Sequence, residues 1–593
     1  MGRKHLHRTA ALPAHRAALP SLLAALTAAA VLAAPPPPPP PPLSSSPSSS
    51  PPSFLSAALA ASAADCDASA IRADARSGLL LDACGRQRIF RGINSVRKGA
   101  PFLARSDQFE PAGQSLSAAD AVLWQSLGLN LVRLGIMWEG AVPSRGAPDA
   151  ALLAAYAETA AGLFAAGGVR ALLDAHQDGF SAQFCDDGAP PWAARDCAAR
   201  APGGGAAGFP LPLAAPFPLD NATGLPEICS SPNISGWAEL YVTYAVGACF
   251  GELYGSSGRA GEPGSTQQAF IDFWVAVVAA FAQGPGGGAA VLAYELLNEP
   301  WAGDALADPA LLVPGVADAA SLQPFYANVT AAIRAAEAAL NATSRIIAME
   351  PVTWDVVFPA GFSSPSGAWP ASGLELLSYH YYELPDIQGS ALQVESRAAD
   401  ARRLGAAALL TEYDLGLVSP VNAPYTKLDM RATLDACDAA RHGNIGWDYS
   451  CVFQGGDGST LHAETVRELA RPVPLALAGA GNASWRFAAA DERAPRFELE
   501  YAHERAVAER GGVSTVFLST GLWFDAATLN VSVASSPPGA VTWSLARTRG
   551  QVSLPAANAS QLPAPAPFDF TILTIASAPG APDVAAVSVV VTS

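Results

Sequence analysis

Between Gly78 and Arg471 the chain repeats one unit, a short apolar run followed by a stretch rich in Ala and Leu at helical spacing. The apolar runs are Ile89–Asn94, Leu129–Ile136, Arg170–Ala175, Val291–Leu297, Arg345–Met349, Leu374–Tyr379, Ala406–Leu410 and Asn444–Asp448. Helical stretches such as Ala118–Leu127, Ala150–Ala166, Gln267–Gln283 and Pro324–Leu340 separate them. Strands that alternate with helices form a parallel sheet, and eight such units over about 380 residues is the arithmetic of a (β/α)8 barrel with insertions. After Arg471 the texture changes to short strands with turns between them, such as Thr515–Ser519, Asn530–Ala534, Val541–Ala546, Phe568–Ile575 and Ala585–Val591. That pattern predicts an antiparallel β-sandwich. The expected fold is therefore α/β: a TIM barrel over residues 65–471, followed by a C-terminal β-sandwich over 472–593.

The segment before the barrel reads as a leader. Basic residues up to Arg16 precede the apolar and small run Leu19 to Ala34, which is short for a membrane span. Residues 1–34 are expected to be a signal peptide, with an uncleaved anchor as the alternative. Residues 35–64 are nearly all Pro, Ser and Ala and suit an extended linker. Seven Asn-X-Ser/Thr sequons, at Asn221, Asn233, Asn328, Asn341, Asn482, Asn530 and Asn558, and eight cysteines fit a secretory route. The expected location is extracellular or a secretory-pathway lumen. Cys185 with Cys197, Cys229 with Cys249, and Cys437 with Cys451 lie near enough in sequence to pair, although proximity alone does not decide connectivity. A net charge of −17, with no basic cluster after Arg16, argues against nucleic acid as a partner.

Every candidate strand runs into polar or aromatic residues at its C-terminal end, where barrels carry their chemistry. The first leads to Asn94 and then Lys98; the second contains Arg133 and leads to Trp138-Glu139. The third ends Asp174-Ala175-His176-Gln177-Asp178, the fourth Asn298-Glu299-Pro300, and the fifth Glu350-Pro351. The sixth ends Tyr379-His380-Tyr381-Tyr382, the seventh reaches Glu412, and the eighth Trp447-Asp448. Proline stops the fourth strand and turns the chain, which sets a carboxamide and a carboxylate side by side at the lip. Two glutamates on two strand ends are what a retaining glycosidase needs, one as acid/base and one as nucleophile.

Plainer readings stand beside these. Asn-Glu-Pro occurs in ordinary turns. Glu350 rivals Glu299 as the acid/base, but it lacks the adjacent Asn, which favours a supporting or loop-capping role. His176 and His380 read as orienting groups, since no metal-ligand spacing accompanies them. Asp178 either caps the next loop or meets a sugar hydroxyl. Lys98 is either an ordinary surface lysine or part of the site, and Trp447 is either core or a stacking platform.

With those residues in view, the barrel resembles glycoside hydrolase family 5 and, within it, the endoglycoceramidase-like branch. The resemblance covers roughly residues 70–470 and rests on Leu297-Asn298-Glu299-Pro300, Glu412, Asp174-Ala175-His176-Gln177-Asp178 and Arg91-Gly92-Ile93-Asn94. It implies Glu299 as acid/base, Glu412 as nucleophile, Asn298 on the sugar 2-hydroxyl and Arg133 in support of the nucleophile. Lys98, His176, Asp178, Tyr381 and Trp447 would hold the first glucose, His380 would line the site, and a Tyr381 hydroxyl would assist Glu412. Asp414 stands where a small or apolar residue is expected and should point away. No metal and no organic cofactor are implied.

Substrate is legible only indirectly. About 85 residues from Gly179 to Gly264 form an insertion with four cysteines, including the apolar, proline-rich segment Phe209–Leu219. Such a loop either forms an apolar wall for a lipid aglycone or packs its own core. The expected substrate is a glycolipid, cleaved between a sugar or oligosaccharide and a ceramide-type lipid, with peripheral contact to a membrane surface left open. The alternatives are a secreted β-glucanase, β-mannosidase or steryl-β-glucosidase of the same superfamily, or a carbohydrate-binding barrel without catalysis.

Overall fold

The computed structural model describes residues 66–592 except 111–114, 199–228, 230–236, 256–261, 354–357, 365–371, 383–388, 416–425, 454–460, 480, 490–493 and 550–567. The leader and linker assigned to residues 1–64, and the Phe209–Leu219 segment, lie outside the described residues.

Each of the eight runs forms a strand: Arg91–Ser95 (β4), Leu131–Met137 (β5), Arg170–His176 (β6), Val291–Glu295 (β7), Ile346–Met349 (β8), Glu375–Tyr381 (β9), Ala407–Asp414 (β10) and Gly443–Trp447 (β11). Three short strands precede the barrel in sequence. The eight pair in parallel and close on themselves, β11 returning to β4. Gly92 serves this closure sterically, since a Cβ there would meet the Leu131 carbonyl oxygen at 2.4 Å. Helices pack outside, each started by local chemistry. Asp149 accepts the Leu152 N–H to cap Ala150–Gly167, which stops at Gly168 with φ +67°. Ser265 caps Thr266–Gln283 in the same way. These helices bury apolar faces that include Tyr156, Phe273, Trp274 and Phe325 in one large core.

The N-terminal end of the barrel is sealed. Leu131, Leu172, Leu376 and Leu409 from the strands cluster with Ile71 and Leu80 from the chain ahead of the barrel. Those two residues belong to a segment that also forms Arg72–Asp74 (β1), Leu79–Leu81 (β2) and Gln87–Arg88 (β3). With this end plugged, the site can open only at the strands' C-terminal ends.

The C-terminal region contains two antiparallel sheets. One is four-stranded: Ser484–Ala488 (β13), Arg496–Glu504 (β14), Val584–Thr592 (β19) and Asn530–Ser536 (β16). The other has seven strands in the order β1-β2-β3-β12-β15-β18-β17, where β12 is Val473–Leu477, β15 Ser514–Leu518, β17 Val541–Thr548 and β18 Phe570–Ser577. Three of its strands precede the barrel in sequence, so this sheet joins the two ends of the described chain. Burial alternates along β14 and β19, as in a sheet with one covered face. The strands β12, β13 and β14 were not expected.

The disulfides differ from the sequence-proximal pairs. The bonds are Cys66–Cys84, Cys185–Cys229 and Cys197–Cys249, and Cys437 and Cys451 are free thiols. Cys197 sits on the helix Pro191–Ala198, which packs on Tyr244–Tyr254, the helix that bears Cys249. Helix packing, not chain distance, selects the partner. Two of the three bonds do fall within the Gly179–Gly264 insertion, where bridges were expected.

Candidate active site

The site is assembled around one guanidinium. Arg133 lies mid-way along β5 with its side chain fully buried, and it has a partner in nearly every direction. Its Nη1 donates to Glu412 Oε1 at 2.6 Å and to Asn94 Oδ1 at 3.1 Å. Its Nη2 donates to Asn298 Oδ1 at 2.7 Å and lies 3.1 Å from Asp174 Oδ1. Its Nε donates to Glu295. A planar donor fork can hold five groups from β4, β6, β7, β10 and the turn after β7 in fixed relation. Asn94 extends the frame, donating to the carbonyls of Thr411 at 3.0 Å and Gly446 at 3.2 Å.

Glu299 follows the turn after β7 with φ +40°, a left-handed conformation that is costly for a non-glycine residue and needs support. Gln177 supplies part of it: its Nε2 donates to the carbonyls of Asn298 at 2.7 Å and Glu299 at 3.0 Å. Asn298 returns a bond to the Gln177 carbonyl at 2.9 Å. The Glu299 N–H donates to Glu350 Oε2 at 2.9 Å. Its side chain faces His380, with Nδ1 2.9 Å from Glu299 Oε1.

Glu412 comes from β10, just past an irregularity in the pairing with β9. One oxygen takes Arg133 and the other accepts the Tyr382 hydroxyl at 2.6 Å. Glu299, Glu412 and His380 each present an atom within 4.8 Å of the others. The tyrosine on Glu412 is thus Tyr382, not Tyr381. Side chains alternate along a strand, so His380 and Tyr382 share the inward face while Tyr381 turns aside, its hydroxyl accepting the Gly389 N–H at 3.2 Å. Period-two reading of Tyr379 to Tyr382 was the signal available for this. Asp414 is buried, and its charge reaches Tyr382 and Cys451; it is held at the lip and not turned clear of it.

A second cluster stands at the ends of β4, β6 and β11. Lys98, with its side chain 40% exposed, pairs with Asp178 and lies 3.3 Å from Asp187. The His176 ring stacks on Trp447 at 5.3 Å and 11°, and the Lys98 ammonium is 5.4 Å from the Trp447 centroid. His176 Nδ1 is 2.8 Å from Asp174 Oδ2, which ties this cluster to Arg133. Lys98, His176, Asp178 and Trp447 therefore converge as expected. Asp174 and Tyr382 were read only as parts of longer strand-end motifs, and Asp187 and Glu295 were not singled out, because a lone carboxylate in a loop or strand carries no spacing signature.

Charge is unevenly placed. Burial is the largest cause raising Glu299 to about 8, and Asp178 is the leading carboxylate behind it. Burial also raises Glu412, but His380 and Arg133 oppose it. His176 is driven to about 10 by Asp174 and Asp178 against a burial penalty. Burial lowers His380. Lys98 and His176 overcome burial to hold Asp178 well below the usual range. His176, Asp178 and Asp187 have donor atoms as close as metal ligands, yet the Lys98 ammonium already contacts both aspartates.

No family model matches the chain. An endoglycoceramidase of Cyanea nozakii is 36% identical over 414 residues, which are 68% of this chain and 76% of that protein. The chain belongs to the endoglycoceramidase family. An endoglycoceramidase of Hydra vulgaris is 34% identical over 393 residues, 65% of this chain and 68% of its own. The solved endo-glycoceramidase II from Rhodococcus sp., as a lactosyl-enzyme intermediate, aligns with 84% of this chain and 99% of its own at TM-score 0.57 and 20% identity, a likeness of fold. As an endoglycoceramidase-family member the chain is a glycoside hydrolase.

Proposed function

We propose that this protein is a retaining β-glycosidase that cleaves the β-glucosidic bond between a sugar or oligosaccharide and a ceramide-type lipid, with Glu299 as acid/base and Glu412 as nucleophile. The observation that carries the reading is the pair itself. Oxygens of the two glutamates lie within 4.8 Å, near the roughly 5–5.5 Å of retaining enzymes and well short of the ~6.5–9.5 Å of inverting ones.

The geometry supports a two-step course. The Glu412 carboxylate, ionised beside Arg133 and Tyr382, attacks the anomeric carbon. The bond from that carbon to the lipid oxygen breaks, and Glu299 gives its proton to that oxygen. The glycosyl ester on Glu412 has lost the negative charge, which lowers the proton affinity of Glu299. Glu299 then takes a proton from water as the water oxygen attacks the same carbon, and Glu412 leaves as carboxylate. Asn298 stands next to Glu299 to meet the 2-hydroxyl, while Lys98, His176, Asp178 and Trp447 border the sugar.

A lipid aglycone fits the apolar residues on the active face. Among the described residues, the exposed large hydrophobics include Leu306, Leu312 and Val313, all in the segment that leaves Glu299. Leu392 and Leu428 are also exposed, at the starts of the helices that follow β9 and β10. Helices of a barrel begin at the end where its strands finish, so all five belong to the active face. Such a face suits a ligand presented by a lipid surface. A secretory location agrees with the disulfides and with the exposed sequon asparagines Asn328, Asn341, Asn482 and Asn530.

The test is a panel of fluorescent glycosphingolipids read by product chromatography, run beside soluble β-glucan. Release of intact glycan with free ceramide is expected. Efficient glucan cleavage with none on glucosyl- or lactosyl-ceramide would overturn the reading. For the residues, Glu299→Ala is expected to keep activity on an activated aryl glycoside and to be rescued by azide, while Glu412→Ala does not turn over. The same rescue pattern in Glu350→Ala would transfer the acid/base role to Glu350.

A further inference from the structure

Beside Glu299 lies a second pair of glutamates that the mechanism above does not use. Glu295, the last residue of β7, and Glu350, directly after β8, are both essentially inaccessible to solvent. Each offers an oxygen within 4.8 Å of the other and of His380. Glu295 gives one oxygen to Arg133 Nε, and Glu350 gives one to the Glu299 backbone N–H. Their remaining oxygens, Glu295 Oε1 and Glu350 Oε1, have no hydrogen-bond partner. Two buried carboxylates this close would repel strongly, and an unpaired oxygen in each would be a further desolvation cost. One proton placed between them removes both problems.

We propose that Glu350 is a positioning residue of this hydrolase: as a neutral carboxylic acid it donates its proton to Glu295 and accepts the Glu299 N–H, fixing the acid/base in its left-handed turn. This rests on Glu299 being the acid/base. The choice of Glu350 as proton carrier follows from its neighbours. Arg133 bonds Glu295 directly, whereas among the described residues no lysine or arginine bonds the Glu350 carboxyl, on which Arg133 acts only through its charge. The ionisable groups around it are Glu295 from β7, Glu299, His380 from β9 with Nδ1 at 3.6 Å, and the phenols Tyr254 and Tyr326 from outer helices. Tyr326 donates to the Glu350 carbonyl at 2.8 Å and Tyr254 to the Trp301 carbonyl at 2.8 Å, so neither phenol serves the carboxyl. Burial, Glu295 and Glu299 push Glu350 well above the usual carboxylate range, against the charge of Arg133 and the Glu299 N–H.

A glutamine reproduces the protonated acid: its oxygen can accept the Glu299 N–H and its amide can donate to Glu295. Glu350→Ala removes both bonds and lets the Glu299 turn relax, which should lower kcat by roughly 10²-fold with a smaller change in KM. Glu350→Gln should restore most of that loss and leave the basic limb of the pH–rate profile in place. Difference infrared spectra of the full-length enzyme at neutral pH should show a protonated carboxyl band that disappears in Glu350→Gln. A Gln variant as impaired as the Ala variant, or no band lost, would overturn the proposal, as would an Ala variant with native kcat. Far-UV circular dichroism and thermal unfolding identify a variant that fails to fold, and the infrared readout on native enzyme against Glu350→Gln then decides alone. Azide rescue of Glu299→Ala tests the acid/base assignment separately, so failure of one reading is distinguishable from failure of the other.

Discussion

Replacing Tyr382 with phenylalanine removes one atom from the site, the hydroxyl that donates to Glu412 Oε2 at 2.6 Å. A hydrogen bond to a charged group contributes about 1.5–3 kcal/mol, and one pKa unit corresponds to about 1.36 kcal/mol. The bond favours the ionised form of Glu412, so its loss raises the Glu412 pKa and disfavours ionisation by roughly 10- to 100-fold. The proposed mechanism needs Glu412 ionised, so kcat/KM should rise with pH through this pKa. The acid limb therefore moves to higher pH, kcat/KM below it falls by roughly 10- to 100-fold, and the activity lost at low pH returns as pH rises. The basic limb, assigned to Glu299 at about 8, should stay in place because the lost bond is to Glu412, whereas Glu299 is partnered by His380. The assay is kcat/KM for a soluble aryl lactoside across the acid range and for a lipid glycoside across the basic range. Tyr381→Phe is the control, since its hydroxyl serves the Gly389 N–H. An unmoved acid limb in Tyr382→Phe, or the same displacement in Tyr381→Phe, would refute the reasoning.

Other outcomes follow from the same structure. Asp178→Asn removes the leading carboxylate that raises Glu299, so the basic limb, where activity is lost as Glu299 deprotonates, should shift below about 8; a limb that rises would contradict the electrostatics. Proton NMR of early product should show release of the β-anomer, and initial α-anomer would exclude a covalent intermediate on Glu412. Peptide mapping without reduction should recover Cys66–Cys84, Cys185–Cys229 and Cys197–Cys249, with buried Cys437 alkylated only after unfolding and half-buried Cys451 alkylated before it. Replacing Cys197 and Cys249 by serine should cost up to about 4 kcal/mol of stability, the chain-entropy value for a 52-residue separation; denaturant unfolding that shows no loss would mean the bond does not form.

Most of the barrel was readable because its cause is local. A strand buried on both faces must be a short apolar run, and a helix needs a cap and a repeating face, so all eight strands lay within a few residues of their expected places. The strands β13 and β14 were harder. Ser484–Ala488 and Arg496–Glu504 alternate burial, but Arg and Glu on the open face hide the apolar half from a reader looking for unbroken runs. Residues 72–88 gave no local reason to leave the barrel unit, since they join the far sheet only through pairing with β12.

The same division runs through the site. Glu299, Glu412 and Asn298 could be picked from sequence because each lies where a strand meets a turn, and Arg133 because it is a charge inside an apolar run matched by the family resemblance; strand order then dictates that they meet. What depended on tertiary structure was every relation set by side-chain direction and by three-dimensional neighbours. That includes Tyr382 in place of Tyr381 on Glu412, Gln177 holding the Asn298–Glu299 backbone, the Glu295–Glu350 pair beside Glu299, and Cys197 bonded to Cys249. The physical reason is common to all four: sequence carries the periodicities that choose strands, helices and their order, whereas hydrogen bonds and disulfides form only between groups that closure of the barrel brings within a few ångströms.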